Sequence, residues 1–352
     1  MTDRFIGELA GELKAAQALE AEGNKSAAVA AVAAYAAANP NEVNAHLLHA
    51  YVLSRLYQHD TALAALQKAI VTAGGPKAFR TAFDKEVVLV FSNCHGKIIR
   101  STFMARPEMA ERFFFVGLFN MSPRAFTQEI ADIADMAIFQ SMSWNDNIDQ
   151  EFTARLASGL KIIRFPAATM LSFWPYYVQA PAKKDENGRA IYRYAYGDRF
   201  IDSRVREGHD SDSITAGYLD LDLPATVQLE RVMEAESHKE FAKEAHADVK
   251  IRGYIEANFR KAPMFFTPNH PSRRVMNVQA VQIAEHMGVA LDAGKLLTDE
   301  YPETSSTHHP IHPATIEYLG LEYRSAWDTF RLSRAGNVTF EQFIPLYIAG
   351  TV

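Results

Sequence analysis

From Glu86 onward the chain alternates short apolar runs with amphipathic stretches, and this alternation restricts its fold more than any other feature. The runs at 87–91, 113–116, 136–139, 162–165 and 264–267 are rich in Val, Ile, Phe and Met and too short for buried helices, so they are predicted as strands. Helices are predicted between them at 97–105, 123–132 and 149–159. Strand, helix, strand in regular succession calls for an α/β fold: a three-layer, mostly parallel sheet with helices on both faces. Such sheets carry their chemistry on the loops at the carboxyl ends of the strands.

The first part of the chain is different in kind. Residues 4–73 are alanine-rich, lack strand-like runs and repeat at an offset of thirty-four: Ala16 with Ala50, Ala28 with Ala62, Ala31 with Ala65, Leu13 with Leu47 and Leu19 with Leu53. This resembles a tetratricopeptide repeat, although Tyr35 stands opposite Ala69 where a small residue would suit both copies. Four helices are predicted at 4–22, 25–38, 42–57 and 60–73, with Asn39-Pro40-Asn41 and Gln58-His59-Asp60 as turn and cap signals. Two repeats bury too little by themselves, so the unit is expected to pack on the larger domain or on a second copy, or to recruit a protein partner. Gly74-Gly75-Pro76 marks a boundary, giving a helical domain at 1–76 and an α/β domain at 84–352.

A chain of 352 residues suits two domains, and 48% hydrophobic with 22% charged residues is ordinary for a packed protein. A net charge of −6 provides no basic field for nucleic acid or anionic lipid. One cysteine excludes an internal disulfide, no apolar run approaches membrane-spanning length, and the start MTDRFIGELAGELKAAQ lacks a signal-peptide core. A cytoplasmic enzyme is the expectation.

That cysteine, Cys94, stands in Phe91-Ser92-Asn93-Cys94-His95-Gly96, where the first predicted strand turns into a helix. The position suits a nucleophile, and a helix amino terminus beside the His95 imidazole is a setting that lowers a thiol pKa. A lone cysteine also packs well as a small hydrophobe. The third strand ends in Gln140-Ser141-Met142-Ser143-Trp144, the fourth leads to Phe173-Trp174-Pro175-Tyr176-Tyr177, and the fifth to Thr267-Pro268-Asn269-His270-Pro271-Ser272-Arg273-Arg274. Pro271 holds His270 in an extended or turn conformation, where it can act as general base to the thiol. Asn93, Gln140 and the backbone N–H groups after Cys94 are candidate oxyanion donors. Each has a plainer use as well: Asn93 as a helix cap, Gln140 at strand ends, His270 on a backbone carbonyl. The histidines of Thr307-His308-His309-Pro310-Ile311-His312-Pro313 are close enough to suggest a metal. Two prolines and no nearby cysteine argue against a closed site, so no metal is assigned and a loop over the active-site mouth is expected. Residues 183–189, Lys-Lys-Asp-Glu-Asn-Gly-Arg, read as a solvated turn.

Taken together, Asn93-Cys94 after a strand, Phe139-Gln140, Ile163-Arg164-Phe165-Pro166 running into Phe173-Trp174-Pro175, Tyr196-Gly197-Asp198, Gly208-His209-Asp210-Ser211 and Asn269-His270-Pro271-Ser272 resemble the WcbI family of capsular polysaccharide biosynthesis proteins, an acetyltransferase group. The resemblance spans about 86–290. It implies a fold related to the SGNH hydrolases, of flavodoxin-like layering, with cysteine in place of serine. It also implies coenzyme A or acetyl-coenzyme A as donor and a sugar or polysaccharide precursor as acceptor. Cys94 and His270 carry over as nucleophile and base, and no third orienting member is identified. Phosphates of coenzyme A need cations near helix amino termini, for which Lys97, Arg100, Arg273 and Arg274 are candidates. His95, Gly96, Ser141 and Asn269 join them as donor-binding residues, and Trp144 with the 173–177 aromatics is expected to stack on adenine or sugar, or to be core. An esterase or thioesterase of the same fold would use the same groups on water. A non-catalytic scaffold binding a glycan or nucleotide is the third reading.

Overall fold

The computed structural model describes residues 10–56, 58–119, 126–141, 146–180, 183–184, 190–191, 194–298, 305 and 307–352. It has two compact units: Met1–Ala167 with Ala247–Val249 and Gln279–Leu291, and Ala168–His246 with Lys250–Val278 and Asp292–Val352.

The first unit opens with helices α1 (Ala10–Ala21), α2 (Lys25–Ala38), α3 (Val43–Arg55) and α4 (His59–Thr72), close to their predicted spans; residues 4–9 lie outside those described. Each packs on the next, and buried Ala28, Ala45, Ala50, Ala62, Ala65 and Ala69 let the backbones approach. Four parallel strands follow, β1 (Glu86–Ser92), β2 (Phe113–Phe119), β3 (Met136–Ser141) and β4 (Lys161–Pro166), in the order β2-β1-β3-β4. Period-two alternation puts Val87, Leu89 and Phe91 on one face, in a core shared with Phe114, Val116, Leu47, Leu53, Leu66 and Ile70. Helices α3 and α4 therefore cover the sheet, and burial of their four large side chains contributes about 1.5–3 kcal/mol for each. The sheet completes the core of these two helices. Helix α5 (Cys94–Met104) leaves β1, and α6 (Asp146–Ala154) precedes β4, its Phe152 stacking on Phe91 at 4.1 Å.

Among the described residues the sheet has four strands, and the predicted fifth is not one of them. Phe265–Thr267 pairs antiparallel with His270–Pro271 in a separate two-stranded sheet. The outer edge of β4 is occupied by residues 248–249. Asp248 accepts the Arg164 N–H at 2.6 Å, and the N–H groups of Asp248 and Val249 donate to the Arg164 carbonyl at 2.8 and 3.1 Å. A single carboxylate and two amides thus occupy the outward backbone groups of Arg164 on this edge.

The second unit contains β5 (Tyr177–Gln179) paired with β6 (Tyr196–Asp198), β7 (Phe265–Thr267) with β8 (His270–Pro271), and β9 (Phe330–Leu332) with β10 (Gly336–Val338), all antiparallel. The predicted turn at 183–189 is flanked by the paired segments Lys183–Lys184 and Ala190–Ile191, and residues 185–189 lie outside those described. Asp198 caps α7 (Arg199–Arg206), accepting the Ile201 N–H at 3.0 Å. Helix α8 (Leu229–Ala245) buries Glu236, Glu240 and Glu244, four residues apart on one face. Their carboxylates accept the N–H groups of Leu171 and Ser172, the Thr169 hydroxyl, and the N–H groups of Ile251 and Arg252. The hydrogen bonds that each carboxyl group accepts offset the cost of burying it. Helix α9 (Arg273–His286) follows β8, and α10 (Pro313–Leu319) follows the histidine-rich segment.

That segment is pinned on both sides by backbone bonds. The His308 N–H donates to the Arg331 carbonyl and the His309 N–H to that of Phe266, both at 2.7 Å, which straps residues 307–312 between β9 and β7. The three rings serve separate partners. His308 stacks on Phe266 at 4.4 Å, His309 Nδ1 meets the Tyr194 hydroxyl at 2.8 Å, and His312 caps α10 through Ala314 while its Nε2 bonds the Tyr218 carbonyl. No helix among the described residues is long and apolar enough to cross a membrane.

Candidate active site

In a sheet ordered β2-β1-β3-β4 the chain leaves β1 toward one side and returns to the other, so the carboxyl ends of β1 and β3 flank the switch point. Asn93-Cys94 and Gln140-Ser141 stand there. Asn93 is the N-cap of α5, its side-chain oxygen accepting the His95 N–H at 2.9 Å, and Cys94 is the first helical residue, half-buried. The helix begins three residues before its predicted start, which places the thiol in the first turn.

Burial pushes the Cys94 thiol above its ordinary value near 9.0, while its own N–H, the His95 N–H and the Lys97 ammonium act in the opposite direction. The sequence-based expectation of a lowered pKa is therefore corrected: the helix terminus does favour the thiolate, but desolvation is larger. His95 is buried, and its Nδ1 lies 3.0 Å from Nε2 of Gln140, whose Oε1 accepts the Asn93 N–H at 2.9 Å. A backbone N–H can only donate, so the Gln140 oxygen faces Asn93 and its amide donates to His95. His95 Nδ1 is then the acceptor and its proton is on Nε2.

These contacts redirect several expectations. Gln140 is fully buried and joins β3 to the start of α5 rather than offering a free oxyanion donor. His95, expected at the donor, is tied to β3. Gly96 meets a strand rather than a ligand: a Cβ there would stand 1.6 Å from Ser92 Oγ and 3.1 Å from Val90 Cγ1. Arg100 is buried and donates to the Ser54 carbonyl at 2.8 Å, joining α5 to α3 instead of reaching a phosphate. Lys97 remains exposed, its ammonium pulled below the usual lysine value by partial desolvation and by the nearby cations Lys25 and Arg100. Ser141 is half-buried at the end of β3, and Trp144 lies outside the described residues.

In the second unit, β7, the turn Pro268-Asn269 and β8 hold His270. Its Nδ1 lies 2.8 Å from both the Thr267 and Tyr196 hydroxyls, and burial lowers its pKa so that the ring is neutral at neutral pH. Asn269 is exposed, accepting from the Thr267 hydroxyl at 3.3 Å; Arg273 is half-buried and Arg274 exposed at the start of α9. Of the aromatic cluster, Phe173 and Trp174 are core, the Trp174 indole donating to the carbonyls of His309 and Pro310 at 3.1 and 3.0 Å. Tyr176 and Tyr177 are half-buried. The functional reading of the sequence passed over Thr267, Tyr196 and Lys25. Tyr196 opens the Tyr-Gly-Asp motif and Thr267 ends the last apolar run, but neither signal states which ring they would meet.

The profile of the family described as polysaccharide biosynthesis enzyme WcbI matches residues 87–292, more than half of the chain. The chain belongs to the WcbI family. The WcbI match begins within β1, so Cys94, Gln140 and His270 all fall inside it, and α1 to α4 lie before it. A solved structure described as WcbI, a novel polysaccharide biosynthesis enzyme, in its native form without a disulfide bond between coenzyme A and one of its cysteines, has the same fold. It superposes with a TM-score of 0.61 at 13% identity, covering 76% of this chain and 89% of that one. No curated protein matches the chain. As a WcbI-family polysaccharide biosynthesis enzyme the chain has a catalytic setting to be explained, and the thiol of Cys94 lies in the matched span.

Proposed function

We propose that this chain is an acyltransferase that moves an acetyl group from acetyl-coenzyme A to a sugar hydroxyl during polysaccharide assembly, with Cys94 as nucleophile and His270 as base. One observation carries the reading: the only thiol of the chain is the first residue of the helix at the β1/β3 switch point, with two backbone N–H groups and a lysine acting on the sulfur. In the first half of the reaction the Cys94 sulfur attacks the acetyl carbonyl, and coenzyme A departs as a thiol carrying the proton that Cys94 lost. In the second, the sugar oxygen attacks the acetyl-Cys94 thioester as His270 takes its proton, and the Cys94 thiol is restored. The positive end of the α5 dipole favours the oxyanion that forms in both halves.

The residues fit a coenzyme A donor. Lys97 is exposed one turn from the thiol with Lys25 nearby, and Arg273 and Arg274 begin α9, which supplies cations for phosphates. The WcbI structure described with reference to a disulfide between coenzyme A and a cysteine supports placing that carrier beside Cys94. Within this reading the catalytic domain is 84–352 with an SGNH-like arrangement, 1–76 is a tetratricopeptide-like domain, and the enzyme works in the cytoplasm.

Calorimetric titration with coenzyme A and acetyl-coenzyme A, on wild type and Cys94→Ser, tests the reading. Mass spectrometry of the protein after exposure to acetyl-coenzyme A accompanies it. Binding that survives in Cys94→Ser, with an acetyl group found on Cys94 of the wild type, is expected. Absence of binding to either ligand removes the donor assignment, and acetyl release to water without any sugar acceptor converts the transferase into a hydrolase.

A further inference from the structure

Helices α1 to α4 lie before the span that matches the WcbI family, yet the packing of the first unit brings one of their charges to the helix that carries the thiol. The connection between α2 and α3 is short, residues 39–42, so the two helices run antiparallel and the start of α2 lies beside the end of α3. Buried Ala28 and Val52 share one core at that end. Helix α5 is fastened to the same place, because the Arg100 guanidinium donates to the Ser54 carbonyl at 2.8 Å. Lys97 stands one turn before Arg100 on α5, and Lys25 is the first residue of α2. Lys25 and the first turn of α5 therefore occupy one corner of the unit.

The charges agree with this placement: the Lys25 ammonium acts on Lys97, and Lys97 acts on the Cys94 sulfur. Helices α2 and α5 each carry a lysine and no acidic residue in the first turn. That is the reverse of what stabilises a helix, whose amino end is already positive. Two ammonium groups and two positive helix ends at one corner repel each other, and an anion bound there relieves the repulsion. Lys25 is exposed and takes part in no ion pair among the described residues. We propose that Lys25 binds a phosphate of the coenzyme A donor at the corner it shares with Lys97, so that the helical unit outside the family-matched span forms part of the donor site. This role rests on coenzyme A being the donor of the proposed reaction.

Coenzyme A is titrated by calorimetry into the full-length wild type and into Lys25→Gln, Lys25→Glu and Lys25→Arg, at about 0.05 M and about 0.25 M salt. The melting temperature of each variant checks that it folds. At low salt Lys25→Gln is expected to bind about three- to tenfold more weakly than wild type, Lys25→Glu more weakly still, and Lys25→Arg as wild type does. The differences shrink at the higher salt, because the charge on Lys25 is exposed and screened. A folded Lys25→Glu that binds coenzyme A as tightly as wild type at low salt overturns the proposal. A loss of the same size at both salt concentrations overturns it too, since that loss is carried by packing rather than by charge. Absence of coenzyme A binding in the wild type removes the donor reading and this role with it, whereas tight wild-type binding that ignores Lys25 removes this role alone.

Discussion

The Gln140 amide nitrogen lies 3.0 Å from Nδ1 of His95, and this bond ties the end of β3 to the first turn of the helix that carries Cys94. With the Asn93 N–H on its other end at 2.9 Å, the Gln140 side chain bridges two strand ends at the switch point. Gln140→Leu keeps the volume and removes both bonds, leaving the Asn93 N–H and a buried imidazole nitrogen unpaired. Each such group costs about 1–3 kcal/mol, so urea unfolding of the variant is expected to show a loss within or above that range. A loss under about 0.5 kcal/mol would mean that the bridge does not stabilise the corner.

Gly96→Ala places a methyl group 1.6 Å from Ser92 Oγ and 2.8 Å from its Cβ, with Val90 Cγ1 at 3.1 Å. Helix α5 must then move off β1, and destabilisation of about 1–3 kcal/mol is expected, with weakened donor binding because the thiol moves with the helix. Removing the obstructing atoms with Ser92→Gly in the same chain should recover part of the loss. Strict additivity of the two substitutions would contradict the close approach.

Because burial outweighs the helix terminus at Cys94, its alkylation rate against pH is expected to rise with an inflection above 9.0. Lys97→Met removes a cation that favours the thiolate and shifts the inflection further upward. Lys97 is exposed, so the shift should shrink at high salt. An inflection near neutral pH in the wild type would reverse this account.

His309 is buried neutral, its pKa lowered to about 3 by desolvation, and Asp198 is held protonated by burial up to about 6. For His309 the unfolded chain binds the proton first, so stability rises with pH from about 3 to the ordinary 6.5. For Asp198 the folded state binds the proton more tightly, so stability falls as pH rises from the ordinary 3.8 to about 6. The two oppose each other between about 4 and 6. Asp198→Asn is expected to steepen the rise of stability with pH in that window, and His309→Gln to flatten it. Melting temperature scanned from pH 4 to pH 7 reads both, and parallel curves for the two variants would refute the assignment.

The alternation of apolar runs, the β1 strand, the turn into Asn93-Cys94 and the alanine spacing of α1 to α4 were legible in the sequence, because period and composition are local properties. Four of the five predicted strands join the sheet. The fifth, Met-Phe-Phe-Thr, pairs instead with His270–Pro271, while Asp248 and Val249 reach Arg164 on the β4 edge from outside any predicted element. Cation roles were the least legible, since Arg100 and Lys97 differ by three residues and yet one is buried on the Ser54 carbonyl and the other exposed.

What the sequence alone determined is which residues stand at strand ends and which helix faces are apolar, for these follow from the covalent order and the two backbone periods. Only the tertiary structure decided the partners: Gln140 for His95, Ser54 for Arg100, Ser92 for Gly96, and Thr267 with Tyr196 for His270. A hydrogen bond or a desolvation penalty depends on atoms brought within a few ångströms by chain segments up to 74 residues apart, and no local pattern encodes that distance. The direction of the Cys94 pKa shows the same division. The helix terminus that favours the thiolate was readable from the chain, while the burial that outweighs it belongs to the fold.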